Sequence, residues 1–280
     1  MKKILLLLII PFLSFGQDLT YVPDNNFEQA LIDLGYDDVI DNYVLTENIN
    51  TVTSLSLLSL GINDLTGIED FLSLMIFSCN GNNLIEVNLS NNVKLVNLQM
   101  NNNNLDMLDI SYNTNLIRLE CVENNLEQLN VSNNTLLEYL NCHNNSLPEL
   151  DVSNNILLKS LRCHRNLLTE LDVSNNTSLD FLVCNENDIN CIQVWDVEYA
   201  IIAEEACEDL MYDNEESCFY KDPGAIWSLD CEAIMLNEDK SNGGNSLLKK
   251  IDLLGRQTAN KVFQLHIYND GSVEKKYIIQ

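Results

Sequence analysis

Basic side chains are scarce in this sequence: 15 Lys and Arg stand against 42 Asp and Glu in 280 residues, a formal net charge of −27. Between residues 17 and 231 the imbalance steepens to 36 acidic against 6 basic side chains, a net of −30. Such a body repels phosphate backbones and anionic headgroups, and no basic groove is visible, so nucleic acid and direct adsorption to anionic membranes are excluded. There are only three histidines, no glycine-rich phosphate loop, and no metal-ligand pair at helical or hairpin spacing. No nucleophile with a base beside it can be assigned, so the sequence points away from an enzyme and implies no cofactor and no metal. After residue 13 no apolar run approaches membrane-spanning length, and no transmembrane segment is predicted.

What is present is repetition. From residue 74 to residue 194 one 21-residue unit is written six times. Leu95, Leu98, Met100, Asn103, Leu105, Leu108, Ile110, Ser111 and Asn113 return as Leu116, Leu119, Cys121, Asn124, Leu126, Leu129, Val131, Ser132 and Asn134. The same columns restart at Leu137, Leu158 and Leu179 and reach back to Leu74. A fixed period of this length marks a solenoid, because no unit buries its apolar face alone and stacking supplies the core.

Each unit can be read by column. The segment LxxLxC alternates like a short strand, so Leu119 and Cys121 point inward while Arg118, Glu120 and Val122 point out. An Asn column, Asn82, Asn103, Asn124, Asn145, Asn166 and Asn187, sits where the chain must turn out of the strand. A buried amide there both donates to and accepts from main-chain groups of adjacent coils that a turn leaves unpaired. A chemical readout of that column is the alternative to a structural ladder. Halves of a unit echo each other, Leu147, Leu150, Val152 and Asn155 repeating Leu137, Leu140, Cys142 and Asn145. Strands are therefore expected on both long sides, with little helix.

The pattern LxxLxCxxN followed by LxxLDVSxN resembles the bacterial 21-residue leucine-rich repeat family and covers about half the chain. LTGIEDF at residues 65–71 is similar to the corresponding turn of internalin-like surface proteins. The resemblance implies a β-rich solenoid, a right-handed coil of parallel strands with a small helical N-terminal cap, a disulfide-bonded C-terminal cap and a small β segment at the end. Residues 17–48 form the N-terminal cap, with a helix entered at Pro23, Asp24 and Asn25 and a face of Phe27, Leu31 and Leu34 before Gly35. Residues 49–194 form the solenoid, whose first, 22-residue unit carries Leu55, Leu57, Ile62 and Leu65 but has Leu60 in place of the ladder Asn. Seven coils at ~4.8 Å spacing make a stack roughly 30 Å long.

Cysteine use divides in two. Cys79, Cys121, Cys142, Cys163 and Cys184 share one inward column with Met100 as its sixth member, which suits small core hydrophobes better than metal ligands. Cys191 instead takes an outward position as the repeat ends, and Cys207, Cys218 and Cys231 follow in an acidic, non-repeating cap at residues 195–231. Four such cysteines make two disulfides with three possible connectivities. We expect Cys191 with Cys231 and Cys207 with Cys218, since the first pair brackets the cap.

Both ends carry their own signals. Residues 1–16 run from Lys2 and Lys3 through an apolar stretch at residues 4–13 to Ser14, Phe15 and Gly16, the order of a secretory signal peptide. Residues 232–246, with Ser241, Asn242, Gly243, Gly244 and Asn245, read as a linker. Residues 247–280 turn basic, 6 against 3, and read as several short strands. This tail resembles the C-terminal sorting domain of type IX secretion cargo in Bacteroidetes, through Asp252, Leu253, Leu254, Gly255 and Arg256 and through Asp270, Gly271, Val273, Lys275 and Lys276. That resemblance implies the type IX machinery as a partner and delivery to the cell surface or medium.

Function would be written on the outward columns. The LxC face presents Arg118, Glu120, Tyr139, His143, Arg162, His164, Arg165 and Phe181, and Arg with aromatic side chains dominates many binding surfaces. His143 and His164 stand 21 apart beside Cys142 and Cys163, yet strand alternation sends the thiols in and the imidazoles out, so no Cys and His can share an ion. The other side carries Glu86, Asp109, Glu149, Asp151, Glu170 and Asp172, readable as a solubilising surface or a Ca²⁺ ladder. Two functions remain open: non-catalytic binding of a protein or glycan through the LxC face, and a passive structural part of the cell envelope or matrix.

Overall fold

The computed structural model describes residues 18–205, 207 and 218–231, together with the backbone of three later strands, Leu247–Ile251, Phe263–Tyr268 and Val273–Tyr277. The segment at residues 1–16, the linker at 232–246, and Leu254, Gly255, Arg256, Asp270 and Gly271 lie outside the described residues, while Lys275 and Lys276 fall in the last strand. The three late strands pair antiparallel in chain order.

Short strands stack in parallel through the repeats. Ser54–Ser56, Ile76–Ser78, Asn97–Gln99, Arg118–Glu120, Tyr139–Asn141, Ser160–Arg162, Phe181–Val183 and Cys218–Tyr220 form one eight-stranded sheet. The register is strict, so Leu55, Phe77, Leu98, Leu119, Leu140, Leu161, Leu182 and Phe219 fall in one inward row, none more than 2% exposed. The inward cysteines and Met100 line up beside it, all buried. Burial pushes the Cys79 and Cys142 thiols up to about 12, which keeps them protonated and apolar in use. The result is the expected leucine-rich-repeat solenoid of parallel strands.

The last strand of that sheet comes from the segment assigned to the cap. After the repeat ends, helix Val197–Glu205 intervenes, and then Cys218–Tyr220 and Ile226–Ser228 resume the two strand positions of one further coil. Phe219 fills the leucine slot and packs against Trp195, Tyr199 and Trp227 at ring separations of 6.0, 5.7 and 5.8 Å. Asp222 takes over at the turn, its carboxylate accepting from the amides of Glu186 and Asn187. Cys191 is bonded to Cys231 and Cys207 to Cys218, as expected from the sequence. The outward Cys191 is thereby covered, at 3% exposure.

Two expectations need correction. The second long side carries described strands only near the end, Leu171–Asp172, Cys191–Gln193 and Ile226–Ser228. Along this side the amides of Ser90, Ser111, Ser132, Ser153 and Ser174 all bond to the Asn or Asp two residues before them, and a strand forms only where Val173 N also reaches Gln193 O of the next coil. Leu34 is 49% exposed, because the helix Asn25–Asp33 ends before it and only Phe27 and Leu31 of the expected face reach the core. Leu60 also points to solvent. The first coil borrows its rung from the next, Asn82 Oδ1 accepting from the amides of Leu60 at 3.1 Å and Ile62 at 3.0 Å.

One aspartate both opens the cap helix and ties it to the first coil. Asp24 Oδ1 accepts from the amides of Asn26 and Phe27, opening the helix. Its Oδ2 accepts from the amide of Asn63 at 2.8 Å. Leu19–Tyr21 pairs antiparallel with Tyr43–Leu45, and Gly67, at φ +104°, lies so close to Tyr21 O that a Cβ there would sit 2.8 Å from it. Only glycine suits that left-handed, crowded position.

Asparagines close the turns of the repeats from Asn82 to Asn187. Asn124 Nδ2 donates to Met100 O of the previous coil at 2.9 Å and to Cys121 O at 3.1 Å, while its Oδ1 accepts from Leu105 N at 3.1 Å. The same set recurs at Asn103, Asn145, Asn166 and Asn187. A second column, Asn92, Asn113, Asn134, Asn155 and Asn176, is fully buried on the other side and donates to carbonyls of the preceding coil. The residue before each first-column rung is left-handed, at Gly81, Asn102, Glu123, Asn144, Arg165 and Glu186. Replacing Asn124 by Ala leaves the buried Leu105 N unpaired and strips Met100 O and Cys121 O of one of their two amide donors, and is expected to lower stability by on the order of 1–3 kcal/mol. Urea unfolding checks this, with the exposed Asn104→Ala as the control that stays within about 0.5 kcal/mol.

Candidate functional site

The register of the eight-stranded sheet turns its outward residues into rows. One row reads Asn97, Arg118, Tyr139, Ser160 and Phe181, and the next reads Gln99, Glu120, Asn141, Arg162 and Val183. Neighbours in a row sit one strand spacing apart, ~4.8 Å, close enough for side chains to touch.

Cations and aromatic rings interleave in the middle of these rows. The Arg118 guanidinium lies 3.7 Å from the centroid of Tyr139. Arg162 reaches over Phe181 at 4.7 Å and stands 5.9 Å from Tyr139. Arg118 is held from its other side by Glu120, Nε to Oε1 at 2.7 Å, and Glu120 also accepts from Asn101 Nδ2 at 3.0 Å. Glu120 is therefore less a free contact than an anchor, its side chain only 14% exposed. The four-residue ladder from Arg118 to Phe181 presents planar, delocalised groups whose rotamers are already restrained.

The histidines continue the face one row further on. His143 and His164 stack with ring centroids 4.2 Å apart and planes 15° from parallel. Both are partly buried, and their Nδ1 atoms are buried with no hydrogen-bond partner among the described residues. Burial, the neighbouring His143 and Arg165 hold His164 down to about 4, and burial is also the main cause lowering His143. They are neutral at pH 7. Cys142 and Cys163 lie on the opposite, inward side, and among the described residues no three His, Cys, Asp or Glu side chains converge as metal ligands would.

Two expected face residues behave differently. Val122 is 8% exposed, not outward to solvent, because the row beyond the strands is already curving into the turn. Arg165 occupies the left-handed turn position at φ +54° and pairs with Glu186, Nε to Oε2 at 2.9 Å, so it borders the face without joining the ladder.

The sequence reading missed the amide patch that extends the face toward the N-terminus. Ser78 Oγ donates to Gln99 Oε1 at 3.2 Å, and Asn101 Oδ1 accepts from Val122 N at 2.8 Å. Shifting the Arg118 and Glu120 columns back by 21 residues would have found Asn97 and Gln99. The opposite side is occupied by its own turns. Asp109, Asp151 and Asp172 accept from the amides of Ser111, Ser153 and Ser174, bonds that with the serine hydroxyls lower the Asp109 and Asp151 carboxyls. A cavity of about 250 Å³ on that side, lined by Asp64, Thr66, Glu69 and Glu86 among others, has Asp64 and Glu69 engaged by the amides of Thr66 and Gly67.

Among solved structures, the chain is similar to the functional domain of InlJ from Listeria monocytogenes, which includes a cysteine ladder. The two share 33% identity and a TM-score of 0.57 over 63% of this chain and 44% of that one. It is similar in fold to an internalin, inlF, from the same species, at 21% identity and a TM-score of 0.50 over 74% of this chain and 71% of that one. A leucine-rich repeat protein of Leptospira interrogans matches at 22% identity and a TM-score of 0.50, over 52% of this chain and 40% of that one. The chain thus spans less than half of the InlJ domain it matches. No protein-family model and no curated protein matches the sequence.

The histidine stack carries a pH signature. An unfolded chain takes up protons near pH 6.5, whereas folded His164 does so only near 4. The stack's contribution is therefore complete above about pH 6.5 and is lost as pH falls toward about 4. Between pH 7 and pH 5 the wild type should lose on the order of 1 kcal/mol, after discounting for the rings' access to water. His164→Gln should flatten that slope, and urea midpoints at the two pH values measure it.

Proposed function

We propose that this chain works outside the cell as a non-catalytic binding protein that grips a protein or glycan through the strand face bearing Arg118, Tyr139, Arg162 and Phe181. The observation that supports this reading is the ladder itself. In a body with 36 acidic and 6 basic side chains, two arginines alternate with two aromatic rings on one sheet. Solubility does not require such an arrangement, whereas recognition does, because restrained planar side chains lose little conformational entropy when a partner covers them. The stacked histidines and the amides of Gln99 and Asn101 flank the ladder with further hydrogen-bonding groups. No helix among the described residues is long and apolar enough to cross a membrane.

Export follows from the two terminal segments. A signal peptide at residues 1–16 would deliver the chain across the inner membrane, and the tail at 247–280 would hand it to the type IX machinery. The antiparallel pairing of the three tail strands is consistent with a small independent β segment.

Two measurements test these claims. Against a panel of surface proteins and glycans, Arg162→Ala and Phe181→Ala should each weaken binding by about 10-fold or more, with unfolding midpoints near that of the wild type. Retained binding in both variants would move the contact off the ladder, and no binding by the wild type to any member of the panel would support the passive structural reading instead. In a host with the type IX machinery, the full chain should reach the surface or medium while a version ending at Asn245 stays inside. Equal export of the two would remove the sorting role.

A further inference from the structure

Two short sheets in this chain each have one apolar face. The first is the hairpin of the N-terminal cap, where Leu19 pairs with Leu45, Thr20 with Val44 and Tyr21 with Tyr43. Thr20 and Val44 are buried against the rest of the protein. The residues that alternate with them face out: Leu19, Tyr21 and Tyr43 are 55, 50 and 45% exposed, and the two tyrosine rings meet at 5.4 Å. Val39 and Ile40, in the loop that enters the second strand, are exposed as well. Residues 18–48 carry eight acidic side chains and no basic one, with Asp18, Asp38, Asp41 and Glu47 among those exposed.

The second sheet is the tail, whose three strands pair in chain order. Cross-strand partners share a face of a sheet, and successive residues of a strand alternate between faces. The pairing of Ile251 with Leu265, Lys249 with Ile267, Phe263 with Tyr277, Leu265 with Lys275 and Ile267 with Val273 therefore places six apolar residues and two lysines on one face. Lys250, Gln264, His266, Glu274 and Lys276 fall on the other. Three strands with one apolar face need a second layer to bury it. Residues 247–280 hold 6 basic side chains against 3 acidic ones, the reverse of the cap.

We propose that the tail sheet docks with its apolar, lysine-bearing face on the outer face of the cap hairpin of the same chain. Charge selects the occupant. A second cap is a poor cover for the first, because each brings eight carboxylates and no cation to the contact. The tail brings lysines set among apolar residues, which suits aromatic and aliphatic side chains ringed by carboxylates, and tyrosine rings themselves attract ammonium groups. Reach is sufficient: the eight-stranded sheet runs roughly 35 Å from first strand to last, and the linker at residues 232–246 extends to about 50 Å. Tethering then favours a molecule's own tail over that of a neighbour. Docking hides the cap's apolar face for as long as the tail is attached, and it does not depend on the tail's role in export.

Hydroxyl-radical footprinting of the full chain against a version ending at Asn245 tests the contact, with both purified from a host that lacks the type IX machinery so that the tail is retained. A docked tail should slow the labelling of Tyr21 and Tyr43 by about 10-fold, while Tyr112, 60% exposed on the solenoid, labels equally in both. Lys249→Glu combined with Lys275→Glu in the full chain should raise Tyr21 and Tyr43 to the rate of the shortened version. Equal labelling of the two tyrosines in full and shortened chains overturns the proposal, and so does protection that survives the lysine reversals. Protection that is lost on dilution overturns it too, because it assigns the cap to the tail of a second molecule. Should the lysine reversals unfold the tail, Asp18→Lys with Glu47→Lys on the cap takes their place: release of both tyrosines supports the docking, and unchanged protection refutes it.

Discussion

The structure depends on how a coil turns without leaving its amides and carbonyls bare. A chain that reverses direction twice every 21 residues creates many main-chain groups that no strand pairs, and an interior solenoid buries them. Asparagine solves this because one short side chain both donates and accepts. The first column from Asn82 to Asn187 bridges each turn to the coil before it in both senses, while the second column from Asn92 to Asn176 only donates, to carbonyls of the preceding coil across the core. Leucines supply the driving force for stacking, but the amides set its geometry, since a coil shifted from its place would forfeit several buried hydrogen bonds at once.

From that strict register comes the character of the strand face. Equivalent positions on successive coils are brought into contact, so a side chain meets its own column's neighbours before anything else. Where the column changes from amide to Arg to Tyr to Phe, contacts between unlike groups appear, and the ladder from Arg118 to Phe181 is the outcome. Where it keeps the same residue, as with His143 and His164, the rings stack and shed their protons. The acidic excess of the body is placed elsewhere, in turns where Asp109 and Asp151 have backbone work to do.

Much of this was legible in the sequence because the period is a long-range signal repeated six times. The inward columns, the Asn rungs and the division of the cysteines follow from position within the unit, and the pairing of Cys191 with Cys231 from their bracketing of the cap. What escaped was local and unrepeated. Leu34 fits a helical face, but the helix stops one residue short of it. Leucines at 108, 129 and 150 alternate as strand residues do, but strand pairing on that side is confined to the last coils, Leu171–Asp172, Cys191–Gln193 and Ile226–Ser228. The coil rebuilt from Cys218–Tyr220 and Ile226–Ser228 has Phe219 and Trp227 where the repeat has Leu or Ile, and a helix interrupts it, so no periodicity announces it.

The strict register has a consequence for how this molecule can change over generations. Because every coil hands the next the same amide bridges, removing or duplicating one 21-residue unit by recombination leaves core and turns intact at the new junction. The outer rows, in contrast, are rewritten at a stroke: loss of the unit beginning at Leu137 sets Arg118 beside Ser160 and takes Tyr139 out of the ladder. The outer face can thus be reshuffled in whole steps while foldability is inherited unchanged, and the two caps with their own bonds mark the ends between which such exchange is tolerated.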